Sequence, residues 1–142
     1  MPHDTQDAKP DSLAALILAS LIDSNRSLRH LDLASNQLSE YSIEEEGLIA
    51  IAAAVSSSEN ITSLNLASNA IKVRGLEAVT SILTQPNSNL AAINLCANRL
   101  GMITEAPVLR SFADAVEMSR TLHSIDLRFN ALVESEEAIV VI

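Results

Sequence analysis

One twelve-residue pattern occurs four times in this chain and constrains the fold more than any other feature. The copies are SLRHLDLASNQL at Ser27–Leu38, NITSLNLASNAI at Asn60–Ile71, NLAAINLCANRL at Asn89–Leu100 and TLHSIDLRFNAL at Thr121–Leu132. Each has apolar residues at its second, fifth, seventh and twelfth positions and Asn at its tenth. Self-similarity at a period of roughly 20–50 residues indicates a chain built from stacked repeats.

Within each copy, apolar and polar residues alternate, as in Leu31 and Leu33 or Leu64 and Leu66. A period of two indicates a short strand with one buried face. We therefore expect strands near residues 29–34, 62–67, 91–96 and 123–128.

The segments between the copies have the helical period instead. Apolar residues spaced as i, i+3, i+4 and i+7 occur at Leu48, Ile51, Ala52 and Val55, and again at Leu109, Phe112, Ala113 and Val116. A helix between successive strands makes the sheet parallel. Stacked units with helices on one side and narrower strands on the other curve, so we predict an α/β solenoid with strands on the concave side.

The asparagine of each copy has a predicted structural role. Asn36, Asn69, Asn98 and Asn130 stand where the chain turns out of each strand. A buried amide at such a turn satisfies backbone groups that would otherwise lack partners. We therefore expect these four residues to form a structural ladder along the stack.

The frame LxxLxLxxNxL resembles that of leucine-rich repeats, and specifically the ribonuclease-inhibitor-like class. The resemblance extends from about Asp11 to Leu132. It implies a curved right-handed βα superhelix with a short parallel sheet on the concave side and helices on the convex side. The class contains proteins with many different partners, so the resemblance does not identify the ligand.

The repeats are not evenly spaced. Successive frame asparagines are separated by 33, 29 and 32 residues, whereas the class resembled has a period of about 28–29 residues. The extra residues fall in Ser39–Glu46 and Gly101–Ala106, which we expect to form two loops on one rim. The first loop carries Tyr41 and the acidic run Glu44–Glu46. These residues either contact a basic partner or form a solvated loop whose carboxylates favour the following helix N-terminus.

Residues between the buried positions of each strand point into the predicted concavity. The candidate partner-binding residues on this face and on the first rim loop are His30, Asp32, Tyr41, Asn65, Asn94, Asp126, Arg128 and Phe129. Arg and aromatic residues contribute most to interface energy, and they occur together only at Arg128 and Phe129. Either Asp126, Arg128 and Phe129 form a contact patch, or Phe129 packs against the last layer while Arg128 is solvated.

Composition argues against several functional classes. The net charge is −9 and the nine basic residues are scattered, which disfavours nucleic acid and a membrane surface as partners. We also expect no cofactor, no metal and no catalysis, because no motif for them occurs. A single cysteine, Cys96, and a polar N-terminus without signal-peptide character favour a cytoplasmic protein.

The two ends raise separate expectations. Residues 1–10 are predicted to be a disordered tail, and residues 11–142 a single domain of about four repeats. The chain finishes Ala138–Ile142, AIVVI. This segment is interpreted as a final element covering the last repeat, as the start of a fifth repeat, or as a carboxyl-terminal motif for β-augmentation. Because the segment is apolar, self-association through the C-terminal end is also predicted.

The sequence thus predicts a non-catalytic intracellular module that binds a protein partner through its concave face and rim loops. Two alternatives remain open at this point. One is a regulator of a small GTPase that resembles a GTPase activator of the same repeat class. The other is a fragment or offshoot of a larger leucine-rich-repeat sensor or effector.

Overall fold

The computed structural model describes residues 10–36 and 45–132. Helices and short strands alternate strictly along these ranges. The elements are α1 (Pro10–Ser24), β1 (His30–Asp32), α2 (Glu46–Ser57), β2 (Ser63–Asn65), α3 (Val73–Thr84), β3 (Ala92–Asn94), α4 (Ala106–Met118) and β4 (Ser124–Asp126). The predictions for the tail before Pro10, for Tyr41 and for Ala138–Ile142 fall outside the described residues. Pro10, predicted to belong to the tail, is the first residue of α1, a position where its fixed φ suits a helix.

The four strands form one parallel sheet in chain order, β1-β2-β3-β4. Leu31 pairs with Leu64, Leu64 with Ile93, and Ile93 with Ile125, so equivalent residues of the repeats lie side by side. The sequence prediction of an α/β repeat solenoid with a parallel sheet is confirmed. Each helix connects two neighbouring strands, as a parallel arrangement requires.

Hydrogen bonding between repeats continues beyond the three-residue strands. The backbone N–H of Leu33 donates to the carbonyl of Asn65 at 2.8 Å, and that of Ser35 donates to Ala67 at 2.8 Å. Just before the two strands, the backbone N–H of Thr62 donates to the carbonyl of Arg29 at 2.8 Å. The backbones of successive repeats therefore stay in contact through the turn that follows each strand.

The core is a row of aliphatic layers between the sheet and the helices. Leu64 and Leu66 of the second repeat are 1% and 0% exposed, and on α2 both Leu48 and Ile51 are fully buried. The chain has no Trp, so each layer is thin and covers only its neighbours. Burial decreases at the last repeat, where Ile125 and Leu127 are only partly buried.

The turn after each strand places a left-handed residue before the frame asparagine and, in the three later repeats, another one after it. Before it come Ser35, Ser68, Ala97 and Phe129, with φ of 58°, 57°, 56° and 57°. After it, Ala70, Arg99 and Ala131 have φ of 53°, 60° and 54°. Left-handed backbone is costly for residues with a Cβ, and most of all for bulky ones. The turn is therefore held by its surroundings rather than by the preferences of its residues.

Candidate functional site

The frame asparagines connect each repeat to the preceding one. Oδ1 of Asn69 accepts the backbone N–H of Asn36 at 3.1 Å, and Oδ1 of Asn98 accepts that of Asn69 at 2.9 Å. Oδ1 of Asn130 accepts the N–H of Asn98 at 2.8 Å. The side-chain amide of Asn98 also donates to the carbonyl of Leu66 at 2.9 Å. These side chains are almost fully buried, and they satisfy backbone groups that water cannot reach.

Asn36 differs from the other three because it is exposed. Its side-chain amide donates to the carbonyl of Ala34 within its own turn at 3.1 Å. The other three frame asparagines reach back toward an earlier repeat, and among the described residues no strand precedes β1. The ladder therefore begins at Asn36 through its backbone alone.

The outward side of the sheet carries two rows of side chains in register, which we call the strand face. The first row is His30, Ser63, Ala92 and Ser124, and the second is Asp32, Asn65, Asn94 and Asp126. His30, Asp32 and Ser124 are exposed and the others are partly buried. The sequence analysis proposed five of these eight residues as partner contacts, and the fold brings all five onto this one surface.

The second row of the strand face also shapes the turns beneath it. Each of its side chains accepts the backbone N–H two residues further on, which closes an Asx turn. The acceptor Oδ1 atoms of Asp32, Asn65, Asn94 and Asp126 lie 3.0, 3.0, 2.9 and 3.0 Å from those nitrogens. The Asp and Asn residues of this row therefore present only part of their polar surface to a partner.

Asp126 and Arg128 form an ion pair at the end of the second row. Nη2 of Arg128 lies 2.6 Å from Oδ2 of Asp126, and Nε lies 3.0 Å from Oδ1. The hydrogen bond from the Arg128 side chain, followed by that from its backbone N–H, lowers the pKa of Asp126. The same pairing raises the pKa of Arg128. The pair lies at the surface, since the side chain of Arg128 is 75% exposed.

Phe129 projects into solvent beside this ion pair. Its side chain is 81% exposed, the largest value among the exposed large apolar residues of the described ranges. One interpretation of the sequence was that Phe129 packs against the last layer with Arg128 solvated. In the structure Phe129 is not packed, and Arg128 is largely exposed to solvent while it pairs with Asp126.

The two predicted rim loops differ in how much of them the structure describes. Tyr41 and residues 37–44 lie outside the described ranges. In the second loop, Leu100–Met102 form a short 3₁₀ turn, and Met102 is 74% exposed. The backbone N–H of Gly101 donates to the carbonyl of Asn130 at 2.8 Å, so this loop lies against the turn after β4.

Glu45, from the acidic run of the first loop, is fully buried rather than available to a basic partner. Its carboxylate accepts the backbone N–H of Lys72 at 2.7 Å and that of Gly75 at 2.5 Å. These donors belong to the N-terminus of α3, whose exposed N–H groups favour a negative charge. The prediction that the acidic run serves the helix that follows is therefore wrong for Glu45, because its carboxylate caps the helix of the next repeat.

On the helix side, α1 exposes Leu13, Leu16, Ile17 and Leu21. A shallow groove between α2 and α3 on the helix side is lined mainly by small residues, including Ala53, Ala78 and Ser81. Within residues 10–36 and 45–132, no group of three His, Cys, Asp or Glu side chains is arranged to hold a metal ion. In the same ranges, no helix has the length and apolar character needed to cross a membrane.

Sequence reasoning missed three features of this surface. It did not single out Met102 or Arg99, whose turn lies against the one that carries Phe129, and it did not assign Glu45 to α3. The contact between the two turns depends on the stacking of the repeats. The burial of Glu45 depends on a contact across 30 residues, which no local pattern reveals.

Comparison with known proteins agrees with this geometry. A family model described as "Leucine Rich repeat" matches residues 24–39 and 57–79. No curated protein matches the sequence. Among solved structures, "Leiomodin-1 Actin-Binding Site 2 (ABS2)" superposes with a TM-score of 0.69 at 22% identity, covering 89% of this chain and 66% of that one. The tropomodulin C-terminal domain of Caenorhabditis elegans has a TM-score of 0.53 at 15% identity, covering 90% of this chain and 86% of that one.

The shared features are the repeat itself and its stacking. The matched segments contain β1 and β2 and the frame asparagines Asn36 and Asn69. This chain spans 66% of the leiomodin structure, so the likeness concerns part of that domain. The chain therefore carries leucine-rich repeats at the matched residues, and its described repeats stack in a helix–strand solenoid of the same fold.

Proposed function

We propose that this protein is a protein-binding module whose strand face and adjoining rim contact a partner protein. The observation that carries the proposal is the uncovered side of the sheet. Parallel sheets are ordinarily covered on both faces, but in the described ranges the helices pack on one side only. The other side presents two rows of side chains in register.

The strand face is suited to a rigid interface. Most of its side chains are short, and those of the second row are already fixed by their Asx turns, such as Asn65 to Ala67 and Asn94 to Cys96. Side chains that are ordered before binding lose little conformational entropy when the complex forms. Binding at this surface therefore needs few strong contacts, provided that a larger anchor lies nearby.

We further propose that the protein acts inside the cell and catalyses no reaction. Self-association through the apolar C-terminal end is a separate part of the proposal. Neither the repeat match nor the structural neighbours support the alternative of a small-GTPase regulator.

Actin is the first partner to test. The similar leiomodin structure is that of an actin-binding site, and its fold covers 89% of this chain. At 22% identity the likeness supports the fold alone, so actin is a candidate chosen for direct measurement.

Site-specific photo-crosslinking tests the binding surface. A photoreactive phenylalanine analogue is placed either at Ala92 on the strand face or, as the matched control, at Ser81 on the helix side. Each variant is irradiated in an extract of the source cells, and adducts are identified by mass spectrometry. We expect a specific protein adduct at Ala92 and none at Ser81. Equal labelling at both positions, or an adduct at Ser81 alone, would contradict the proposal.

Purified actin provides the second test. Binding of the fluorescently labelled protein to monomeric and filamentous actin is measured by anisotropy and by cosedimentation. Saturable binding that is weakened by a substitution on the strand face supports actin as the partner. Absence of binding removes actin and leaves the protein-binding proposal to the crosslinking result.

A further inference from the structure

We propose that four residues at the C-terminal end of the solenoid form the main docking point of the protein. The residues are Arg99, Met102, Arg128 and Phe129, and we call this group the C-terminal rim. Its occupant is a segment of a partner protein that carries an apolar side chain next to a carboxylate. The inference rests on the proposed function and adds to it a position and a chemistry.

Backbone contact between two turns assembles the C-terminal rim. The N–H of Gly101 donates to the carbonyl of Asn130 at 2.8 Å, and a Cβ on Gly101 would lie 2.2 Å from the carbonyl oxygen of Ala131. Only a residue without a side chain allows this approach. It places the segment containing Arg99 and Met102 directly against the one containing Arg128 and Phe129.

The C-terminal rim contains the residue types that are enriched at the centre of protein–protein interfaces. Phe129 is 81% exposed and Met102 is 74% exposed, and both arginines are exposed. Aromatic residues, Met and Arg are enriched at protein interfaces, and Arg and aromatic side chains dominate hot spots. The strand face carries mainly Ser, Ala, Asn and Asp, so on the sheet side of the described residues the large contact residues are concentrated in the C-terminal rim.

The backbone at Phe129 gives an independent reason. Phe129 has φ of 57°, in a position where the other three repeats have Ser35, Ser68 and Ala97. A bulky side chain in left-handed backbone is strained, and at 81% exposure Phe129 recovers little of this cost by packing. The turns of all four repeats adopt this backbone, and only the last of them carries a bulky, unpacked side chain there, which makes Phe129 a candidate functional position.

Charge complementarity identifies the occupant. Within the described ranges, Arg99 has no side-chain hydrogen bond or ion pair, and Arg128 directs Nε and Nη2 to Asp126, which leaves Nη1 available. Two exposed guanidinium groups thus lie on these two adjoining turns, one of which carries Phe129, in a protein whose net charge is −9. Arg binds carboxylates with favourable geometry. An acidic segment with an apolar anchor therefore fits the C-terminal rim better than it fits the rest of this acidic protein.

A random peptide library displayed on phage is the probe for this site. The library is selected in parallel against the wild-type protein and against Phe129→Asn, which suits left-handed backbone. Circular dichroism and thermal unfolding establish that both proteins are folded. The most enriched peptide is synthesised with a fluorophore, and its affinity is measured for wild type, Phe129→Asn, Arg99→Gln and the helix-side control Ser81→Asn.

We expect wild type to enrich peptides that pair an aromatic or aliphatic residue with Asp or Glu. Affinity should fall at least about tenfold for Phe129→Asn, several-fold for Arg99→Gln, and not at all for Ser81→Asn. Peptides that bind wild type and Phe129→Asn equally would overturn the docking point while leaving the protein-binding proposal intact. Failure to enrich any peptide, combined with no adduct at Ala92, would contradict both.

Discussion

Oδ1 of Asn98 lies 2.9 Å from the backbone nitrogen of Asn69, which places one repeat's turn in direct contact with the next. The same side chain donates to the carbonyls of Leu66 and Leu95 at 2.9 and 3.0 Å. Asn69 and Asn98 are fully buried, so water could not replace a hydrogen-bond partner that was removed here. The ladder is therefore a structural element of the solenoid and not a surface for ligands.

Replacement of Asn98 by Ala should strongly destabilise the protein. The substitution leaves several buried donors and acceptors unpaired, each of which costs roughly 1–3 kcal/mol, so we expect a loss of about 3 kcal/mol in the free energy of unfolding. Asn36→Ala is the matched control, because Asn36 is exposed and its side chain bonds only its own turn. Urea unfolding followed by circular dichroism measures both variants. Equal losses for the two would refute the proposed direction of the ladder.

Gly75→Ala should destabilise the packing of α3 against α2. A Cβ at this position would lie 2.5 Å from Oε1 of Glu45 and 2.7 Å from Cδ2 of Leu48. Overpacking of this kind costs about 1–3 kcal/mol, whereas Ser81→Ala on the exposed face of the same helix should change stability by less than about 0.5 kcal/mol. Urea unfolding of both variants measures the two losses, and equal midpoints would contradict the prediction.

A double-mutant cycle identifies the cause of that loss. If the Glu45 carboxylate is the main obstacle, Gly75→Ala should cost less in a Glu45→Ala background, because the nearest atom is gone. Additive losses would mean that the two residues are not coupled through this contact.

Phe129→Asn should stabilise the folded protein. Asn tolerates left-handed backbone better than Phe, and the penalty relieved is about 0.5–1 kcal/mol. Phe129→Ala lacks the short polar side chain that can hydrogen-bond locally in left-handed backbone, so it should bring no comparable gain. Thermal unfolding of the three proteins distinguishes relief of backbone strain from the mere removal of an exposed ring. A loss of stability in Phe129→Asn would show that the ring packs against the fold in solution.

The ion pair at the end of the second row should be visible in a titration. Hydrogen bonds from the side chain and backbone of Arg128 lower the pKa of Asp126, so its carboxyl resonance should titrate below the usual value of about 3.9. Because the folded pKa is the lower one, the pair stabilises the protein above about pH 4, and this stability is lost as the pH falls through the folded pKa. In Arg128→Gln the midpoint should rise. An unchanged midpoint would contradict the pairing.

The repeat frame predicted the main elements because burial in a solenoid has a simple period. The alternation of Leu64 and Leu66 marks a strand, and the spacing of Leu48, Ile51 and Val55 marks a helix; all five are buried. The parallel register follows, since each strand is separated from the next by a helix.

Other features depend on contacts between repeats and could not be predicted from a local pattern. Glu45 lies next to two further glutamates, and only the position of the α3 N-terminus shows that it is buried. The second row of the strand face was recognised as Asp and Asn, but its role in closing turns appears only from the Oδ1 distances. The exposure of Phe129 likewise depends on what packs beside the last repeat.

The affinity of the crosslinked partner for two charge-inserted variants tests the central claim most directly. Ser63 and Ala92 are neighbours on the strand face, and Ala53 and Ser81 line the groove on the helix side. The double substitution Ser63→Arg with Ala92→Arg should weaken binding by about a hundredfold, while Ala53→Arg with Ser81→Arg should leave it unchanged. Full affinity in the strand-face variant, with loss in the helix-side variant, would place the binding surface on the helices and contradict this account.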